Sequence, residues 1–404
     1  MANTIITNFT GNMTKFYAAV KDGQISNETQ KVTITGSSYT LDDLKAIRTE
    51  ATNATIVLQA AANPQLVGSV DDLTAALDDI TYSGAITLSE PLTAANLADV
   101  LALTTGKVTA DVSGTATNLV TALADEKTVN ALTVTVGAGA VNASDLKILD
   151  AKTSVTVDAS LVTAITGTAA ELKTVLAAKT ITLDTTAVAV TVDGKVSAAD
   201  LNTIAKATGG VVTAEVEGSA AALNAALKVV NTTDDTVTAT LTGTTAAAKD
   251  LIELSDKVTL VTTSIKTITG TLAEITAVTT IVAADVAVTI TGTIAAADVA
   301  STDGLNDVAS KTSGKVTATV SGSLSDLKNL TTAPTDAITI KVTGTTATAT
   351  DLKDLDGKTS VVVDAKTITT IESLAVNAAD VITVLDAKTI AKAADVAVTI
   401  TDAD

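Results

Sequence analysis

Four short stretches place an aspartate at what reads as the end of a strand: VTVDA, ITLDT, VVVDA and TVLDA, carrying Asp158, Asp184, Asp364 and Asp386. If such corners stacked, the carboxylates would line up as oxygen ligands for a hard cation, and calcium is the candidate cofactor. Equally, an Asp at a tight corner often accepts a hydrogen bond from its own backbone. The calcium-binding nonapeptide G-G-x-G-x-D-x-U-x is absent. Paired acids occur at Asp42-Asp43, Asp71-Asp72, Asp78-Asp79 and Asp234-Asp235, where helix caps and turns account for them.

Catalytic chemistry has little else to use. The sequence has no His and no Cys, which removes the usual general bases, thiol nucleophiles and zinc ligand sets. No phosphate-binding P-loop or dinucleotide fingerprint is present. A parallel β-helix lyase would want Arg, Lys and acids clustered on one face, and Arg48 is the only arginine. The reading is that the protein is not an enzyme.

Outward T-x-T pairs at Thr33/Thr35, Thr133/Thr135, Thr238/Thr240, Thr289/Thr291 and Thr317/Thr319 raise ice binding. Asp111, Glu215 and Lys341 interrupt any flat lattice, and Thr is a favoured polar residue on an exposed sheet. Sequons begin at Asn8, Asn12, Asn27, Asn53, Asn142, Asn231 and Asn329. These seven compare with about four expected from composition.

The elements that would position these residues repeat. KVTADVSGTATNLVTAL, VTAEVEGSAAALNAAL, TVTATLTGTTAAAKDLIEL, KVTATVSGSLSDLKNL and ITIKVTGTTATATDLKDL share one plan. Alternating residues form a strand, as in Val237, Ala239 and Leu241 against Thr238, Thr240 and Thr242. A Gly then allows a sharp bend, and a Ser or Thr caps a short helix. An acid often follows three residues on: Thr40/Asp43, Thr168/Glu171, Ser197/Asp200, Thr271/Glu274 and Ser323/Asp326. The strand-ending glycines run Gly36, Gly68, Gly114, Gly137, Gly167, Gly194, Gly218, Gly243, Gly270, Gly292, Gly322 and Gly344. From Gly114 onward their nine intervals are 22 to 30 residues long. Some coils carry a second strand, as in ITLDTTAVAVTVDG and VTLVTTSIKTITG. One coil cannot bury its apolar face alone, but stacked coils can. The expected fold is a β-solenoid, parallel β-helix-like, of about 25 residues per coil, with a short helix in many coils.

Residues 1–30 lie outside this pattern and read as an N-terminal cap or docking segment, with 31–404 as the repetitive solenoid. Both phenylalanines, Phe9 and Phe16, fall there beside Tyr17. The stretch VVVDAKTITTIESLAVNAADVITVLDAKTIAKAADVAVTI reads as closely spaced strands with no capping helix. Pro64, Pro91 and Pro334 are expected at corners.

Composition agrees with such a fold. The 404 residues are 46% hydrophobic but only 1% aromatic, with no Trp, so the core must be thin and regular. Net charge is −19, which disfavours nucleic acid as a partner. No stretch of roughly 18 apolar residues would span a bilayer. MANTIITNFTGNMTKFYAAVKDG carries no basic n-region before an apolar h-region, so no cleavable signal is visible.

With its V-T-A-x-V-x-G-[ST] units, its Met-Ala start and its acidic DVAVTITDAD, the chain resembles the Ala/Thr/Val-rich surface proteins of bacteria. These are S-layer subunits, extracellular fibres and related type I-secreted proteins. The resemblance implies a secreted protein at the cell surface, self-assembly, and often calcium dependence. The function expected is an extracellular structural protein that assembles head-to-tail into a filament or lattice. Phe9, Phe16 and Tyr17 would anchor one side, and Val396, Val398 and Ile400 would line the open strand edge on the other. The alternative is a monomeric adhesin or ligand-binding solenoid, with cell-surface polysaccharide as a candidate partner. The scarcity of aromatics beyond residue 40, Tyr82 alone, counts against ring stacking on sugars.

Overall fold

The computed structural model describes residues 4–59, 62–126, 129–227 and 235–401; Asn231 and Asp234 lie outside them. The chain divides into two compact units, Met1–Gly194 with Thr203–Thr213, and Lys195–Asn202 with Ala214–Asp404.

In the first unit the strand Asn8–Gly11 pairs with Lys31–Ile34, which pairs with Thr55–Leu58. Strand stacking therefore begins inside residues 1–30: the helix Met13–Lys21 and its strand already form a coil. A longer ladder runs Leu66–Gly68, Ile86–Leu88, Val108–Gly114, Ala131–Val136, Val157–Ala159 and Ile181–Leu183. From residue 139 a second ladder accompanies it, through Gly139–Asn142, Val162–Gly167 and Ala189–Val196.

The second unit stacks Thr245–Ala247, Thr267–Gly270, Ala287–Ala295, Val316–Ser323, Ala337–Thr343, Val363–Ala365 and Ile390–Lys392. Beside them lie Thr346–Thr348, Thr370–Leu374 and Ala397–Thr401. The described pairs in both units are parallel, the geometry that stacked coils require.

Alternation decides which face each strand buries. In Val108–Gly114, Val108, Ala110 and Val112 point inward and Thr109, Asp111 and Ser113 outward. Ala318 then lies beside Ile338, and Val320 beside Ile340, in the next coil. Each such buried Val or Ile contributes about 1.5–3 kcal/mol.

Helices are more regular than expected. Nearly every coil carries one, and its apolar stripe covers the strands; Leu172 and Val175 of Ala169–Ala177 are buried. The unit is thus strand plus helix, an α/β repeat, where the sequence reading expected a β-helix-like coil with a short helix in many coils. Capping starts these helices. Thr40, Thr168 and Thr271 accept from the backbone N–H three residues on, and Asp43, Glu171 and Glu274 reach back to the cap N–H.

Two kinds of coil alternate. In a tight coil an extended Gly is followed at once by the capping residue, as at Gly114-Thr115, Gly167-Thr168, Gly218-Ser219, Gly270-Thr271 and Gly322-Ser323. In a wide coil the Gly has positive φ, as at Gly243 (φ 89°) and Gly292 (φ 81°), and more extended residues precede the helix. The true period is therefore a coil pair: the tight glycines at 114, 167, 218, 270 and 322 recur every 51–53 residues.

A buried hydroxyl fixes the helix-to-strand corner of the wide coils. Thr153 Oγ1 donates to the Leu132 carbonyl of the preceding coil at 2.6 Å and accepts from the Leu132 and Val155 N–H groups at 3.1 Å. Thr359 repeats this on Ile338 and Val361, and Thr104 and Thr312 repeat part of it. In tight coils Asn130 and Asp336 accept instead, from Val108 N–H at 2.8 Å and Val316 N–H at 2.9 Å.

Candidate functional site

The four aspartates do not converge. Asp158 Oδ1 accepts from the Ser160 N–H at 3.0 Å, and the Ser160 hydroxyl and backbone lower its pKa. Asp184 Oδ1 accepts from the Thr186 N–H at 3.1 Å and from its hydroxyl at 2.6 Å, and these bonds lower its pKa likewise. Asp364 Oδ1 accepts from Lys366 N–H at 3.3 Å. All three close local turns. Asp158 stands opposite Thr182 in the next strand, so it is two residues out of step with Asp184. Asp364 stands between Lys341 and Ala391.

Asp386 corrects the sequence reading: it is the last residue of the helix Ala378–Asp386 and ends no strand. Val381 and Val384 of that helix, three residues apart, are buried, and this contact overrides the strand preference of AADVITVLD. Among the described residues no group of three acidic side chains is placed to hold a metal.

The aromatic residues do meet, but inside. Phe9 and Phe16 pack edge to face at 5.5 Å and are buried, with Tyr17 at 6.0 Å from Phe16. Phe16 of the helix Met13–Lys21 packs on Phe9 of the strand Asn8–Gly11, so both fill the first coil and offer no surface anchor. Only the Tyr17 ring is exposed. Its hydroxyl donates to Asp43 at 2.7 Å, and that bond to a carboxylate pushes its pKa up to about 12.

In the second unit, residues 374–401 expose what other coils bury. The strand Ala397–Thr401 pairs on one side with Thr370–Leu374, and all five of its residues are exposed. Val398 is 41% and Ile400 52% exposed, whereas Ile338 and Ile340 on Ala337–Thr343 are fully buried. Val396 sits half-buried just before the strand. On the adjoining helix Ile382 and Leu385 face outward, and Leu374 and Val376 are exposed beside it. These four were missed from sequence. The available signal was apolar residues at 381, 382, 384 and 385, a helical stripe wide enough for two contacts. The Lys392 ammonium donates to the Val384, Ala387 and Ile390 carbonyls, holding the helix end against this face.

One cleft of about 560 Å³ lies beside the helix Leu305–Lys311, where the helix Leu324–Leu327 is a single turn and a Pro334-containing loop follows. Ser310, Lys315, Thr331 and Thr335 line it, and no aromatic ring does.

No protein-family model matches the chain, and no curated protein matches it. Among solved structures it is similar to the LRR ectodomain of the plant membrane receptor kinase GASSHO1/SCHENGEN3 from Arabidopsis thaliana, in complex with CASPARIAN STRIP INTEGRITY FACTOR 2. The identity is 10% and the TM-score 0.18, and the match covers 95% of this chain and 45% of that one. At that level the likeness carries nothing about binding. The protein is a solenoid-like repeat of parallel strands and short helices on its own geometry. No described helix is long and apolar enough to cross a membrane.

Proposed function

We propose that this is a structural protein of the cell exterior that assembles copy to copy, the exposed face of residues 374–401 docking on the first coil of the next molecule. The observation that carries the reading is the exposure of Leu374, Val376, Ile382, Leu385, Val398 and Ile400 together. Among the described residues, six of the fourteen exposed large apolar residues fall in this short span. Exposed apolar side chains gathered in one segment of chain point to an interaction site. The strand Ala397–Thr401 offers unpaired backbone groups on its far edge among the described residues, and Asn8–Gly11 offers the same. Parallel pairing between them is a heterologous contact that need not close, which gives fibres. Secretion, the S-layer or fibre class, and a surface polysaccharide as a further partner belong to the same reading.

The test is sedimentation velocity and negative-stain microscopy of the protein beside V398K/I400K. The native protein is expected to form concentration-dependent assemblies. The double variant is expected to stay monomeric with an unchanged Tm, because both side chains are exposed already. A native protein that remains monomeric at high concentration, or a variant that assembles as well, refutes the proposal. Since Asp158, Asp184 and Asp364 are engaged by their own turns, EGTA is expected to leave assembly unchanged; loss of assembly in EGTA would reinstate calcium.

A further inference from the structure

The alternation of coils has a mechanical meaning. Four of the five tight glycines named above nest against the first residue of the helix in the preceding wide coil. A Cβ built on Gly114, Gly167 or Gly270 would stand 2.9 Å from the Cβ of Ala94, Ala143 or Ala248. On Gly322 it would stand 2.2 Å from the Cβ of Ala296. None of these four glycines has positive φ, so the requirement is for space and not for a left-handed backbone. Gly218 is the exception, where Leu223 of its own helix comes nearest.

Several helix contacts follow the same pairing, but Ala198–Ala207 meets Ala220–Ala226, and Leu305–Lys311 meets Leu324–Leu327, at few points. Leu41–Glu50 packs along Val70–Leu77, Ala143–Lys152 along Ala169–Ala177, Ala248–Ser255 along Leu272–Val278, and Ala349–Asp356 along Ala378–Asp386. Side chains tie several of these pairs. Lys45 meets Asp72 at 2.6 Å, and Thr350 and Lys353 meet Asp380 at 2.9 and 2.6 Å. By contrast, Leu272–Val278 meets Leu305–Lys311 at few points, as Leu324–Leu327 does Ala349–Asp356. Two junctions of that second kind are nonetheless close: Ala116–Ala122 with Ala143–Lys152, and Ala220–Ala226 with Ala248–Ser255.

We propose that the solenoid opens and recloses in coil pairs, a wide coil with the tight coil after it, and not one coil at a time. Where neighbouring pairs are also bound tightly, two pairs leave together. This stands apart from self-assembly and would hold for a monomer. The cause is steric complementarity: removing a tight coil alone exposes a wide-coil helix start whose small Ala only a Gly strand end can cover at that distance.

The experiment is optical-tweezers unfolding of the full chain. Steps are expected near multiples of about 52 residues, roughly 19 nm of released chain at about 3.6 Å per residue. Steps centred on about 26 residues, roughly 9 nm, or one all-or-none rupture, would overturn the proposal. In Gly167→Ala one 19 nm step is expected to split into two of about half its size. The double variant A143G/G167A is expected to restore it, since the methyl group is only moved across the contact. A split that persists in the double variant also counts against the proposal.

Discussion

A single hydroxyl at a corner does more than the many threonines on the open faces. Thr359 Oγ1 satisfies the Ile338 carbonyl and two N–H groups in a place water does not reach. Thr359→Val keeps the shape and leaves those backbone groups without a partner, at a cost of about 1–3 kcal/mol for a buried orphan. Thr339, on the outward side of the neighbouring strand, carries no such burden. Chemical denaturation should place Thr359→Val clearly below the native protein and Thr339→Val within about 0.5 kcal/mol of it. Equal effects would mean that the corner bond contributes nothing. Local sequence points the wrong way on these two threonines. Thr339 alternates with Ile338 and Ile340, while Thr359 stands between Lys358 and Ser360, and only the stacking of one coil on another makes Thr359 buried.

Element by element, the helix starts are where local sequence had most authority. Thr168 caps Ala169–Ala177 and exchanges bonds with Glu171, and the Thr168 hydroxyl and N–H hold the Glu171 carboxyl below the ordinary glutamate range. Thr168→Ala should cost about 1 kcal/mol. The pH dependence follows from the direction of the shift. With the folded pKa depressed, the stabilisation is present above the unfolded glutamate value and is lost as pH falls through the folded one. Thermal melts of Glu171→Gln should therefore fall less steeply than the native protein below about pH 4.5, and parallel curves would contradict the capping role. Such boxes were legible because they need only four consecutive residues. The strand faces were legible because period-2 alternation survives in every coil, as Val237, Ala239 and Leu241 show by their burial. The helix Ala378–Asp386 was not. Its valines favour a strand locally, and what turns them into a helix is packing on the strand Thr370–Leu374 and on the helix Ala349–Asp356 of the preceding coil. The coil pair was hidden for another reason. Gly167 and Gly194 are the same letter, and only φ and the neighbouring Ala143 tell a space requirement from a left-handed turn.

For the whole molecule, charge governs how copies approach. The net charge is −19, and with no His or Cys no side chain has an ordinary pKa between the carboxylates and the lysines and tyrosines. The shifts that the structure imposes on some of these groups lead away from this window. Asp72 and Asp380 are lowered by Lys45 and Lys353, those lysines are raised in return, and burial pushes Tyr39 up to about 12. From about pH 6 to pH 9 the charge is therefore nearly constant. Two copies bringing the 374–401 face to a first coil repel one another over a distance set by the Debye length, about 30 Å at 0.01 M salt and about 8 Å at 0.15 M. Assembly followed by light scattering should accelerate strongly across that salt range and stay flat across that pH range. A proton-triggered onset near neutrality would require a titrating side chain that this sequence does not have. A rate indifferent to salt would mean that long-range repulsion is not what limits the encounter, and docking through exposed Val398 and Ile400 would then need a different account of its barrier.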